Sequence, residues 1–83
     1  MTFRIEWDKK PLNFLGKLPK EVAMRILNKV DLIKENPFHF LEHYEGRGYK
    51  LRIGNYRMLV DMDLEKKTMV IQVLDKRERI YKK

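Results

Sequence analysis

Cysteine is absent from this 83-residue chain, and histidine (two), proline (three) and glycine (four) are scarce. Without cysteine there is no disulfide, no thiolate nucleophile and no sulfur ligand, and cysteine usage says nothing about compartment. No apolar run approaches the ~20 residues that a membrane-spanning helix needs. The opening Met1-Thr2-Phe3-Arg4-Ile5-Glu6-Trp7 alternates like a strand and lacks the apolar block of a signal peptide. A soluble, cytoplasmic protein with no membrane partner is the expectation. Repeats, linkers and low-complexity tracts are missing too, so residues 1–83 read as one small domain with a modest core. Disorder is excluded because hydrophobic residues make up 43% of the chain and aromatics 11%.

Positive charge is plentiful and unevenly placed. The net charge is +7, yet residues 1–46 hold eight Lys/Arg against seven Asp/Glu, while residues 47–83 hold eleven against five. The excess therefore lies in the second half, which favours a polyanionic partner such as nucleic acid or an acidic protein.

Hydrophobic spacing predicts the order of elements. Phe3, Ile5 and Trp7 alternate with Arg4 and Glu6, giving a strand with one apolar face. Asp8 can cap a short helix that tolerates Pro11 in its first turn and ends at Gly16. Pro19 opens a longer helix reaching residue 35, with Val22, Ile26, Val30 and Ile33 on its buried stripe and Ala23 and Leu27 widening it. Asn36-Pro37 stops that helix. Residues 37–48 are irregular, with Gly46-Arg47-Gly48 leading into a hairpin. Three strands follow, the last over residues 68–74, where Met69-Val70-Ile71 suits a well-covered position. The fold class is α+β: an N-terminal strand and two helices packed on an antiparallel β-meander.

The hairpin carries the strongest chemical signal. In Tyr49-Lys50-Leu51-Arg52-Ile53-Gly54-Asn55-Tyr56-Arg57-Met58-Leu59-Val60, Gly54-Asn55 fits a two-residue type II′ turn. That turn sets Arg52 opposite Arg57 and Leu51 opposite Met58. Tyr49, Leu51, Ile53, Tyr56, Met58 and Val60 then share a core face, and Lys50, Arg52 and Arg57 share the other. Two arginines directly across a strand pair repel, a local penalty of the sort kept at functional sites. Phosphate is the natural ligand of such a cluster, since guanidinium forks match its oxygens at any working pH. Arg77 lies just past the third strand, and Tyr81 follows four residues later with a ring suited to base stacking or a hydroxyl suited to hydrogen bonding.

Tyr-Lys-Leu-Arg-Ile-Gly-Asn-Tyr-Arg followed by strand, turn, strand and Asp-Lys-Arg-Glu-Arg-Ile-Tyr resembles the RelE/ParE superfamily of type II toxins, most closely its RelE branch. The strand–helix–helix start fits the same pattern, so the resemblance spans the chain. It implies a RelE-like fold and a metal-independent messenger-RNA endoribonuclease acting in the ribosomal A site. Its partners would be the ribosome, the message and a RelB-like antitoxin, with a toxin–antitoxin heterotetramer as one form of the complex. The implied site is Lys50, Arg52, Arg57, Arg77 and Tyr81, with no cofactor and no metal. The implied reaction is attack of a ribose 2′-hydroxyl on the adjacent phosphate, leaving a 2′,3′-cyclic phosphate and a free 5′-hydroxyl. Lys50 would serve as base or base assistant, its proton loosened by crowded cations. Arg57 and Arg77 would stabilise transition-state charge, and Tyr81 would orient or stack the base. Some RelE proteins carry lysine where this chain has Arg52, which leaves Lys50 as the better acceptor. The site face shows no histidine or carboxylate at this level of reading, so ribosomal RNA would complete it.

Two alternatives share these residues: a ParE-like inhibitor of DNA gyrase without RNA cleavage, and a noncatalytic basic RNA-binding module. One further pattern, His39-Phe40-Leu41-Glu42-His43, matches H-x-x-E-H, which binds zinc when helical. Pro37 and the Gly46-Arg47-Gly48 segment leave room for barely two helical turns, and no third ligand follows. The expectation is that Phe38, Phe40, Leu41 and Tyr44 pack inward and both histidines face solvent. Asp61 and Asp63 are expected to be solvated.

Overall fold

A computed structural model describes residues 2–76. The chain runs β1 (Arg4–Trp7), α1 (Lys9–Gly16), α2 (Lys20–Ile33), α3 (Pro37–Phe40), β2 (Glu42–Glu45), β3 (Gly48–Ile53), β4 (Tyr56–Asp63) and β5 (Thr68–Lys76). The five strands form one sheet in the order β1-β5-β4-β3-β2. β2 through β5 are an antiparallel meander, and β1 adds parallel to β5 at one edge. The parallel pairing is a detail beyond the expected meander. The chain leaves β1 into helices and returns through the meander, so its last strand can lie alongside the first in the same direction.

Apolar periodicity accounts for the core. Ile26 and Ile33 from α2 meet Met58 and Val60 from β4 and Met69 and Ile71 from β5, and all six side chains have no exposed surface. β5 lies between β1 and β4, as its apolar run suggested. Backbone hydrogen bonds close the two ends of β1: Phe3 N donates to Lys34 O at 2.9 Å and Asp8 N to Ile71 O at 3.0 Å. Asp8 stands at the N-cap position of α1, although its side chain makes no capping bond.

Four expectations change. Leu27 does not widen the buried stripe of α2; it is 39% exposed, because it lies on the flank of the helix facing away from the sheet. Residues 37–48 are more ordered than their composition suggests, forming the single turn α3 and the edge strand β2. Gly46 takes φ +54°, and a Cβ on Gly48 would stand 2.9 Å from Glu45 O, so the two glycines permit the tight β2–β3 connection. Asp61 is an ion-pair partner instead of a solvated carboxylate, with Arg47 Nη2 donating to Oδ2 at 2.6 Å. That hydrogen bond first, and the carboxylate charge second, raise the pKa of Arg47 above the usual guanidinium range. Phe38 (47% exposed) and Tyr44 (42%) also stay at the surface, where Phe38 packs edge-on against Phe3 and Tyr49.

The core predicts a sharp contrast within one helix. Ile26→Ala removes a fully buried side chain and should cost about 2–5 kcal/mol, while Leu27→Ala should stay near ~0.5 kcal/mol. Urea unfolding of the two variants measures both, and equal losses would contradict the packing described for α2.

Candidate functional site

The site begins at the β3–β4 turn. Gly54 takes φ +59°, a conformation that L-residues rarely adopt, and Asn55 keeps a negative φ, as a type II′ turn requires. Arg52 therefore pairs with Arg57, Leu51 with Met58 and Lys50 with Leu59. Leu51, Ile53, Met58 and Val60 are buried on the helix side of the sheet. Lys50, Arg52 and Arg57 are brought together along a cleft of about 340 Å³, whose other walls are Lys29, Phe40 and Glu42.

An edge in the sheet makes that cleft. β2 pairs with β3 only as far as Lys50, which faces Glu42, so Leu51, Arg52 and Ile53 have no strand on that side. Lys29 from α2 and Phe40 from α3 stand there instead, with Lys29 Nζ 5.3 Å from the centre of the Phe40 ring. The three predicted cations differ in setting. Arg52 is exposed, the Lys50 side chain is 27% exposed, and Arg57 is buried, with 9% of its surface left. Arg57 is thus part of the cleft wall, where hydrogen bonds to its guanidinium are worth more than on an open surface. Arg77 and Tyr81 lie outside the described residues.

Two carboxylates stand where the sequence reading found none. Glu42 Oε1 lies 3.8 Å from Lys50 Nζ, so the ammonium has an anion beside it as well as cations. Tyr44 flanks the same group, its ring centre 5.9 Å from Nζ. Asp75 faces Arg57 across the β4–β5 pair. β5 continues past residue 74 to Lys76, and a bulge opposite Leu59 and Val60 leaves Gln72 without a partner. That one-residue insertion shifts the register so that Asp75, instead of Leu74, lies across from Arg57. The repulsion expected of Arg52 against Arg57 is accordingly offset by a carboxylate on the next strand. A two-residue turn at Gly46-Arg47 would set His43 against Lys50, and only the register shift between His43 and Glu45 brings Glu42 there instead. Neither carboxylate was signalled by the sequence, because a bulge cannot be read from alternation.

His39 and His43 do not share a helix face. His39 is in α3 and His43 in β2, where its Nε2 lies 3.0 Å from Gly46 O. Among the described residues no group of three metal-ligating side chains is assembled. A second cleft of about 790 Å³ runs along α2 and shares Lys29 and Arg52 with the first. Its walls include exposed Met24 and Leu32, rimmed by Lys20 and Arg25.

No family model and no curated protein matches the sequence. Solved structures do match in fold. A RelBE toxin–antitoxin complex from Mycobacterium tuberculosis aligns with a TM-score of 0.83 at 21% identity, covering 93% of this chain and 100% of that one. An archaeal RelE–RelB complex from Pyrococcus horikoshii gives 0.79 at 28% identity over 95% of this chain and 99% of that one. A mutant of the E. coli toxin RelE in the free state gives 0.81 at 20% identity over 95% and 87%.

Facing strands make the Arg57–Asp75 relation measurable. In a double-mutant cycle of Arg57→Met and Asp75→Asn, urea unfolding should give a coupling of about 0.5–3 kcal/mol. Strict additivity would mean that the two side chains do not act on one another.

Proposed function

We propose that this chain, whose fold matches those of solved RelE toxins, is the toxin of a type II toxin–antitoxin pair and a ribosome-dependent messenger-RNA endoribonuclease. The observation that carries this reading is the convergence of Lys29, Lys50, Arg52 and Arg57 on one cleft. A gyrase inhibitor acting through protein contacts has no need of that convergence.

The reaction is attack of a ribose 2′-hydroxyl on the adjacent phosphate. It needs an in-line arrangement, a proton acceptor, a proton donor, and positive charge on the pentacoordinate phosphorus. Arg57, held in the wall of the cleft, supplies fixed positive charge at low reorganisation cost, and exposed Arg52 binds and orients a neighbouring phosphate. Lys50 handles protons as base or base assistant. Arg77 shares the charge stabilisation and Tyr81 orients or stacks the target base, roles that rest on the sequence resemblance. The chemistry requires neither metal nor cofactor.

A RelB-like antitoxin fits the same surface physics. The cleft along α2 offers an apolar floor with a basic rim and runs into the catalytic cleft through Lys29 and Arg52. An amphipathic, acidic segment of the antitoxin lying there would mask those cations.

Cleavage of a defined message on programmed ribosomes, mapped to the nucleotide, tests the enzyme reading. Arg57→Ala should slow single-turnover cleavage by about 10²–10³-fold; a loss below tenfold would remove Arg57 from the chemistry. Intact messages together with trapped gyrase would replace the reading with the ParE-like one. Binding to single-stranded RNA should weaken with salt at a slope of about −2 to −3 in log–log form, for three or four phosphates met. A flat response would show that the basic cleft does not touch RNA.

A further inference from the structure

A guanidinium and an ammonium are poor proton acceptors at neutral pH, and four such groups line the cleft: Lys29, Lys50, Arg52 and Arg57. Among the described residues, Glu42 is the one carboxylate in its walls. Its position is set by backbone pairing, because Glu42 and Lys50 are direct partners across β2 and β3. The two side chains approach to 3.8 Å, with Glu42 78% exposed and Lys50 27% exposed. The carboxylate is therefore open to an incoming strand, while the ammonium behind it is held between Glu42 and the Tyr44 ring. A negative charge at a phosphate-binding cleft opposes binding, so its presence among four cations calls for a role that a cation cannot fill.

We propose that Glu42 is the proton acceptor of the cleft and that Glu42 and Lys50 work as one acid–base pair. This deepens the ribonuclease reading and rests on it. The Glu42 carboxylate takes the proton of the ribose 2′-hydroxyl, and the 2′-oxygen forms a bond to the adjacent phosphorus. The bond from phosphorus to the 5′-oxygen breaks, and that oxygen takes a proton from the Lys50 ammonium. The products are the 2′,3′-cyclic phosphate and the 5′-hydroxyl. Glu42 is left as a carboxylic acid and Lys50 as an amine, close enough for the proton to pass from one to the other and restore the ion pair. No outside acid, base or metal enters the balance. Lys50 is then the assistant and the donor, not the first acceptor. Lys29, Arg52 and Arg57 hold the phosphate and its developing charge.

The test is single-turnover cleavage of a defined message on programmed ribosomes across pH 6.5–9 by the wild type, Glu42→Gln and Glu42→Asp, together with the affinity of each for the same ribosomes. The chosen range begins about two units above the ordinary carboxylate pKa. Glu42→Gln should bind at least as tightly, because a negative charge has gone, yet cleave about 10²–10⁴-fold more slowly at neutral pH. Its rate should also climb more steeply with pH than the wild-type rate, since hydroxide must replace the missing acceptor. Glu42→Asp should recover part of the loss. Cleavage by Glu42→Gln within threefold of wild type overturns the proposal and leaves the ribonuclease reading standing. So does a slow Glu42→Gln whose deficit is the same at every pH, or one explained by weaker binding, because either marks a structural part. If the wild type itself leaves the message intact, the ribonuclease reading fails and this inference fails with it.

Discussion

The two-residue turn at Gly54-Asn55 constrains everything built around it. Because strand side chains alternate, a hairpin with one residue more or fewer would exchange its faces and send the arginines toward α2. Gly54 holds the left-handed conformation the turn needs, and the register that follows places Leu51 and Met58 in the core at the same stroke as it pairs Arg52 with Arg57. Core and cleft are thus two faces of a single pairing. The hydrophobic effect enforces the register, and the basic cluster is carried along with it.

A cluster of cations is a load on a small domain, and the sheet is arranged to relieve it. The β5 bulge brings Asp75 across from Arg57, and the short edge strand β2 brings Glu42 across from Lys50. Each flanking strand therefore contributes one anion beside Lys50, Arg52 and Arg57 of the β3–β4 hairpin. The arrangement leaves the cleft strongly basic without leaving like charges alone with one another. It also gives the two anions different standing: Asp75 is half-buried and accepts a hydrogen bond from the Lys76 amide at 2.7 Å, while Glu42 is open to solvent. One is tied to the backbone at the strand end, and the other stands open at the cleft.

The cleft itself exists because a strand stops early. β2 covers β3 only to Lys50, and Lys29 and Phe40 line the opening that remains. The same shortness joins this cleft to the apolar one along α2 through shared Lys29 and Arg52. Under the proposed function, chemistry and partner recognition would draw on neighbouring surfaces, so that occupation of one would bear on the other.

Local rules were enough for much of this molecule. Alternation across residues 49–60 and the Gly-Asn turn determined the hairpin, its register and the meeting of Lys50, Arg52 and Arg57, because these depend on near neighbours in the chain. The helical stripe of Ile26, Val30 and Ile33 was legible for the same reason. Leu27 was misjudged because the width of a buried stripe depends on what lies opposite it. Lys29, Glu42 and Asp75 were decided by the tertiary structure alone, each brought to the hairpin by an element distant from it or shifted in register. A bulge, a truncated edge strand and a helix crossing beside it leave no periodic mark in sequence. They arise only when long-range packing chooses among pairings that are locally equivalent.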